Sequence, residues 1–160
     1  MILGLHHTAI ATLDIERLSR FYIDLFGLKK IVDDSWKNAP ALDDIVGLKN
    51  SSAHFMLLSA GNQVLELFEF ASPKPKPGDP NRPVSDCGFT HVCFAVTDIQ
   101  AEYERLSRAG MRFHAPPILA AERPLCATYG RDPDGNVVEL LEIRGEHGFD
   151  YQPTTPRWRL

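Results

Sequence analysis

A chain of 160 residues with 44% hydrophobic and 24% charged side chains can bury one compact core, or two small ones, without covalent staples. Its net charge of −4 argues against non-specific nucleic-acid binding, which needs a basic face to displace counterions. No apolar run reaches the length of a membrane span and no basic segment precedes a long apolar stretch, so the expectation is a cytoplasmic protein with no membrane partner and no export signal.

In chain order, residues 5–11 alternate in the manner of a strand. Asp14 is placed to cap a helix whose apolar positions Leu18, Phe21, Tyr22 and Leu25 follow helical spacing, and Gly27 is placed to close it. Residues 28–32 read as a second strand, 54–59 as a third and 64–70 as a fourth, with Asn62 and Gln63 as turn chemistry before the last. Residues 36–50 form an insertion with a short helix near 42–46. Residues 72–88 hold five prolines and read as a stiff linker. The order then repeats: a strand at 89–95, a helix capped by Asp98 with Ile99, Tyr103 and Leu106 on one stripe and Gly110 at its end, and strands at 111–114, 125–130 and 137–143. The tail, 144–160, has no periodicity, but its Phe149, Tyr151 and Trp158 suggest that it packs on something. The cysteines Cys87, Cys93 and Cys126 have no close pairing and read as reduced thiols that pack as small hydrophobes.

The repeat is visible residue by residue. Without a gap, His7, Ala11, Asp14 and Ile15 fall on His91, Ala95, Asp98 and Ile99. Val64, Glu66, Leu67 and Glu69 fall on Val137, Glu139, Leu140 and Glu142. The expected fold class is α+β, two tandem βαβββ modules in a single domain over 1–160: module one at about 1–71, the linker at 72–88, module two at 89–143 and the tail at 144–160.

Strand alternation then selects the chemistry. Val64, Glu66, Phe68 and Phe70 share one face, as do Val137, Glu139, Leu141 and Ile143, so each glutamate is the one polar group in an apolar row. A carboxylate in such a row costs several kcal/mol unless it is paired, hydrogen-bonded or bound to a cation. His7 shares its face with Ala9 and Ala11, and His91 with Cys93 and Ala95. Small neighbours beside an imidazole leave space for a cavity. His6 falls on the other face and aligns with Thr90, so the repeat selects His7. Two imidazoles and two carboxylates suit one divalent metal ion, zinc, nickel, cobalt, iron or manganese. His7, Glu66, His91 and Glu139 are its expected ligands.

These residues resemble the vicinal oxygen chelate superfamily of glyoxalase, bleomycin-resistance and dioxygenase proteins. The resemblance is carried by His7-Thr8-Ala9-Ile10-Ala11 with Asp14-Ile15, by His91-Val92-Cys93-Phe94-Ala95 with Asp98-Ile99, and by Asp132-Pro133-Asp134-Gly135 followed by Glu139-Leu140. With all four ligand positions filled, the chain is most similar to glyoxalase I. That resemblance implies a curved, partly closed mixed sheet around a metal cavity, a homodimer, zinc or nickel as the foremost metals, and a small-molecule substrate. It departs from glyoxalase I at Lys29 and Lys30, where the second strand has no arginine, and in the insertion.

The implied activity is that of a metal-dependent isomerase or lyase, moving a proton through a metal-bound enediolate on an α-hydroxycarbonyl or thiol–ketoaldehyde adduct. Glu139 is the expected principal base and Glu66 a ligand and second base. Trp36, Arg123 and Tyr129 are candidates to line the substrate pocket. An epimerase of acyl-CoA or small metabolites, a non-catalytic binding or resistance protein, and a non-haem iron dioxygenase are the alternatives, the last disfavoured because a fourth protein ligand leaves fewer open positions.

Overall fold

The equivalent helices of the two modules each begin where an aspartate can satisfy the first free amides. Asp14 accepts the Arg17 N–H at 2.9 Å, and Asp98 accepts that of Ala101 at 3.0 Å. The structure is a computed structural model and describes residues 2, 4–121 and 123–145. The expected packing of the tail around Phe149, Tyr151 and Trp158 lies outside the described residues.

The elements run β1 (His7–Ala11), α1 (Ile15–Arg20), β2 (Lys29–Lys37), α2 (Pro40–Val46), β3 (Ser52–Ser59) and β4 (Val64–Ser72), then β5 (His91–Ala95), α3 (Ile99–Arg108), β6 (Arg112–Phe113), β7 (Ile118–Leu119), β8 (Leu125–Arg131) and β9 (Val137–Ile143). A π-helical turn, Phe21–Leu25, continues α1. Gly27 follows in the left-handed region at φ 70°, which glycine adopts without a Cβ penalty. The two βαβββ modules are present, and their strands divide into two mixed sheets, neither of them a closed barrel. The first sheet has the order β1-β4-β3-β2, and the second β5-β9-β8-β6 with β7 also on β8. In each, the first and last strands of the module pair in parallel and the rest antiparallel. By internal packing the chain forms two compact units that divide between Gly78 and Asp79.

Within the first unit α1 packs on β3 and β4. Ile15, Leu18 and Tyr22 are buried, as are Met56, Leu58, Leu65 and Leu67. Each such aliphatic side chain contributes about 1.5–3 kcal/mol of burial, before the ordering entropy that opposes it. In the second unit α3 packs on β9, and Ile99 and Leu106 are buried, as are Val138 and Leu140. Among the described residues no helix is long and apolar enough to cross a membrane.

Three expectations change. The second strand runs on to Lys37, so Trp36 belongs to β2 and not to the insertion. Residues 79–88 are part of the second unit and not a spacer. Pro80 and Pro83 interrupt any strand ladder there, and two guanidiniums tie the segment through its carbonyls. Arg131 donates to the Gly135 carbonyl at 2.7 Å and the Arg82 carbonyl at 3.0 Å, while Arg82 donates to the carbonyls of Cys87 and Phe89. Packing as small hydrophobes holds for Cys126, which is buried, but Cys87 and Cys93 are exposed.

The same linker crosses the Asp132–Gly135 turn so closely that a Cβ on Gly135 would lie 2.3 Å from Pro80 Cα and 2.4 Å from its carbonyl oxygen. Gly135 also has φ 88°. Gly135→Ala is therefore expected to lower stability by about 2 kcal/mol or more, read as a lower denaturation midpoint at unchanged m-value.

Candidate functional site

The register of each sheet sets a histidine one step along from a glutamate. In the first unit His7 is level with Val64 and Ala9 with Glu66. In the second His91 is level with Val137 and Cys93 with Glu139. A small side chain therefore stands directly opposite each glutamate, and the carboxylate reaches diagonally across it to the imidazole. His7 Nε2 lies 3.1 Å from Glu66 Oε2, and His91 Nε2 lies 3.0 Å from Glu139 Oε2. The glutamates keep only 13% and 15% of their side-chain surface, whereas the histidines keep 42% and 27%. Each pair thus has an anchored acid and an accessible imidazole.

The other ring nitrogen is engaged in both units by the preceding residue. His6 Nδ1 lies 2.8 Å from His7 Nδ1, and Thr90 Oγ lies 2.9 Å from His91 Nδ1. Such contacts orient an imidazole and leave Nε2 toward the carboxylate. His6 was set aside by strand alternation, and its position is the one from which it can steady His7. The aligned polar pair His6 and Thr90 was the available signal for that role.

The second glutamates behave differently. Glu69 accepts the Ile15 N–H at 2.8 Å and so anchors the start of α1. Glu142 pairs with Arg144 at 2.6 Å. The charge of both is answered on the opposite face.

Burial raises the Glu66 carboxyl above its ordinary range, opposed by His7 and then His6. Cys93 opens to solvent on one side, yet the protein around its sulfur, then the Glu139 carboxylate beside it, push the thiol up to about 12. It is a neutral thiol at physiological pH, and its contact with Glu139 was not foreseen from the sequence. Tyr129, level with Glu139 on β8, is raised by burial first and by Glu139 second. Its ring centroid is 5.0 Å from that of His91. Tyr129 is thus brought to the second pair. Trp36 lies in the first unit at the far end of the Glu66 row, with ring centroids 5.8 Å from those of Phe68 and Phe70. Arg123 is exposed in the turn before β8.

The rows also differ from expectation in depth. The fully buried row of β4 is Leu65 and Leu67, while Val64, Phe68 and Phe70 beside Glu66 are half-buried. His7, Ala9 and Ala11 are exposed. The face that carries the pair is the one α1 does not cover.

At 3.1 and 3.0 Å each pair is an imidazole–carboxylate contact; two donors each about 2.1 Å from one ion lie about 3.0 Å apart at a right angle and about 3.4 Å apart at a tetrahedral angle, so a small shift would let either pair ligate an ion. Among the described residues no group of three or more histidine, cysteine, aspartate or glutamate side chains is gathered for a metal, and each pair by itself offers two donors.

Residues 4–140 match the profile of the Glyoxalase/Bleomycin resistance protein/Dioxygenase superfamily. The chain is 31% identical over 143 residues to YaeR, an uncharacterised protein of Escherichia coli, covering 86% of this chain and 94% of that protein. It is 29% identical over 163 residues to glyoxalase I of Saccharomyces cerevisiae, covering 92% of this chain but 47% of the enzyme, so it spans about half of that relative's length. A glyoxalase family protein of Bacillus cereus shares the fold, with a TM-score of 0.80 at 20% identity over 91% of this chain and 97% of that one. With the profile covering nearly all of the two modules, the chain belongs to the glyoxalase/bleomycin resistance/dioxygenase superfamily.

Proposed function

We propose that the protein is a metal-dependent isomerase or lyase of the glyoxalase I type, acting on a thiol–ketoaldehyde adduct or a similar α-hydroxycarbonyl. The observation that carries this reading is the matched pairs, His7 with Glu66 at 3.1 Å and His91 with Glu139 at 3.0 Å, at equivalent register positions of two repeated modules. His7, Glu66, His91 and Glu139 would hold one divalent ion, zinc or nickel foremost, in a homodimer. Imidazole and carboxylate together suit such borderline ions. When bound, the ion supplies Lewis acidity toward two adjacent substrate oxygens.

The remaining work falls to the chain. Glu139 is the base that takes the carbon-bound proton and returns it to the neighbouring carbon, because a carboxylate anchored at the edge of an open face can reach a bound substrate. Glu66 is a ligand and second base. Tyr129, level with Glu139 and with its ring 5.0 Å from that of His91, would line the substrate pocket on that side. Trp36 would do so beside Glu66. Arg123, exposed in the turn before β8, would be a third lining residue.

Elemental analysis of the purified protein, followed by zinc and nickel titration, tests the centre. His7→Ala and His91→Ala are each expected to weaken metal affinity by at least 10–100-fold, more than loss of an outer-shell partner would. The loaded protein is then assayed against methylglyoxal–thiol adducts and against acyl-CoA epimers. A protein with no affinity for either metal would sink the proposal and favour a non-catalytic binder.

A further inference from the structure

We propose that Asp43 and Ser51 are positioning residues that lock Trp36 into an aromatic wall beside Glu66, and that the wall selects substrates bearing an aryl or bulky apolar group. This rests on the function proposed above, whose substrate class it narrows.

The wall lies on one face of the first sheet. Glu66, Phe68 and Phe70 follow one another at two-residue steps on β4. Phe55 is level with Phe68 across β3, and Trp36 on β2 is level with Ala53, which is level with Phe70. The ring centroids of Trp36 lie 5.9 Å from Phe55, 5.8 Å from Phe68 and 5.8 Å from Phe70, all within aromatic contact. These rings are half-buried, so part of each still faces outward. The small Ala53 at the centre of the group lets the indole lie over the sheet.

The indole is fixed from behind. Its Nε1–H donates to Ser51 Oγ at 2.9 Å, and the Ser51 hydroxyl donates to Asp43 Oδ1 at 2.5 Å. The same carboxylate accepts the Ser51 amide at 2.7 Å and, through Oδ2, the Asn50 amide at 2.9 Å. Asp43 is carried by α2, the helix of the insertion. Ser51 is 1% exposed. With its polar edge consumed in this relay, the indole offers only an apolar ring to a ligand. A wall of four rings with no free donor, one strand step from Glu66, suits an aryl or branched alkyl arm and disfavours a charged peptide. The relay comes from the insertion, which gives that segment a use.

The test uses full-length protein carrying Trp158→Phe, so that Trp36 is the one indole. Its fluorescence is titrated with benzohydroxamate and acetohydroxamate, unreactive probes with two adjacent oxygens that differ in the phenyl group. Benzohydroxamate is expected to bind about 10-fold more tightly, as one buried ring allows. Ser51→Ala and Asp43→Ala should red-shift Trp36 emission, raise its quenching by acrylamide and cut that preference to about 2-fold or less, with acetohydroxamate affinity held. Asp43→Asn, which keeps one acceptor, should restore part of the preference. Circular dichroism checks that each variant is folded, and a variant that does not fold is replaced by Trp36→Phe, whose affinities for the two probes are read by isothermal titration calorimetry and should show the same loss of preference. Equal affinity of the two probes, or a preference unchanged in every relay variant, overturns the wall. Metal content is measured on the same samples. Loss of metal with the phenyl preference and emission shifts intact would sink the metal function and leave the wall standing.

Discussion

Glutamine at position 139 is expected to lower kcat/KM on a turned-over adduct by about 10³-fold, the usual scale for removing a general base. The change is nearly isosteric and keeps an oxygen toward His91 Nε2, so the strand and the diagonal contact persist. What is lost is the ability to accept a proton. Glu66→Gln should cost less, about 10-fold, if Glu66 acts mainly as a ligand and second base. Steady-state kinetics on metal-quantified samples separates the two. Full turnover by Glu139→Gln with metal retained would remove Glu139 as the base, and equal losses in both variants would make the two glutamates share that role.

The second large effect is expected at a residue that never touches substrate. Asp132 is 2% exposed and accepts three hydrogen bonds, from the Asp134 and Asn136 amides and the Asn136 side chain, each at 2.9 Å. Alanine there would leave those donors without that partner in a part-buried turn. A cost of about 3 kcal/mol follows, or roughly 10 °C in Tm for a chain of this size. The turn also sets where β9 begins. Asp132 N–H bonds the Asn136 carbonyl at 3.0 Å and Gly135 N–H bonds the Asp132 carbonyl at 3.0 Å, directly before Val137 enters register with Arg131. A one-residue slip would turn Glu139 to the opposite face. Asp132→Ala should therefore weaken metal affinity as well as stability. Differential scanning calorimetry with metal titration reads both, and a variant with wild-type Tm and affinity would show that the turn does not set the register.

Much of this was legible in the sequence because it rests on local rules. The two aspartate caps, the closing glycines and the order of elements follow from short-range chemistry. Strand alternation has a period of two, so it separated His7 from His6 and Glu66 from Glu69 with no knowledge of the neighbours. The repeat then supplied the counterpart of each.

Other features depend on residues far apart in the chain. Both glutamates of each last strand recur in the repeat, and both faces of β4 are apolar apart from one acid. Only the packing of α1 decides that Leu65 and Leu67 form the buried row, that Glu69 is consumed by the Ile15 amide, and that Glu66 is left beside His7. The length of β2 follows from the Trp36 cluster, whose partners lie on β3 and β4, and the hold on its indole comes from α2. The attachment of residues 79–88 to the second unit rests on Arg131, a strand residue more than forty positions on. The sequence by itself determined the modules, their order and the four candidate donors, because each is set by side-chain spacing within one element. The tertiary structure alone decided which acid meets which imidazole and which rings stand beside it, because those contacts exist only once separate strands are in register.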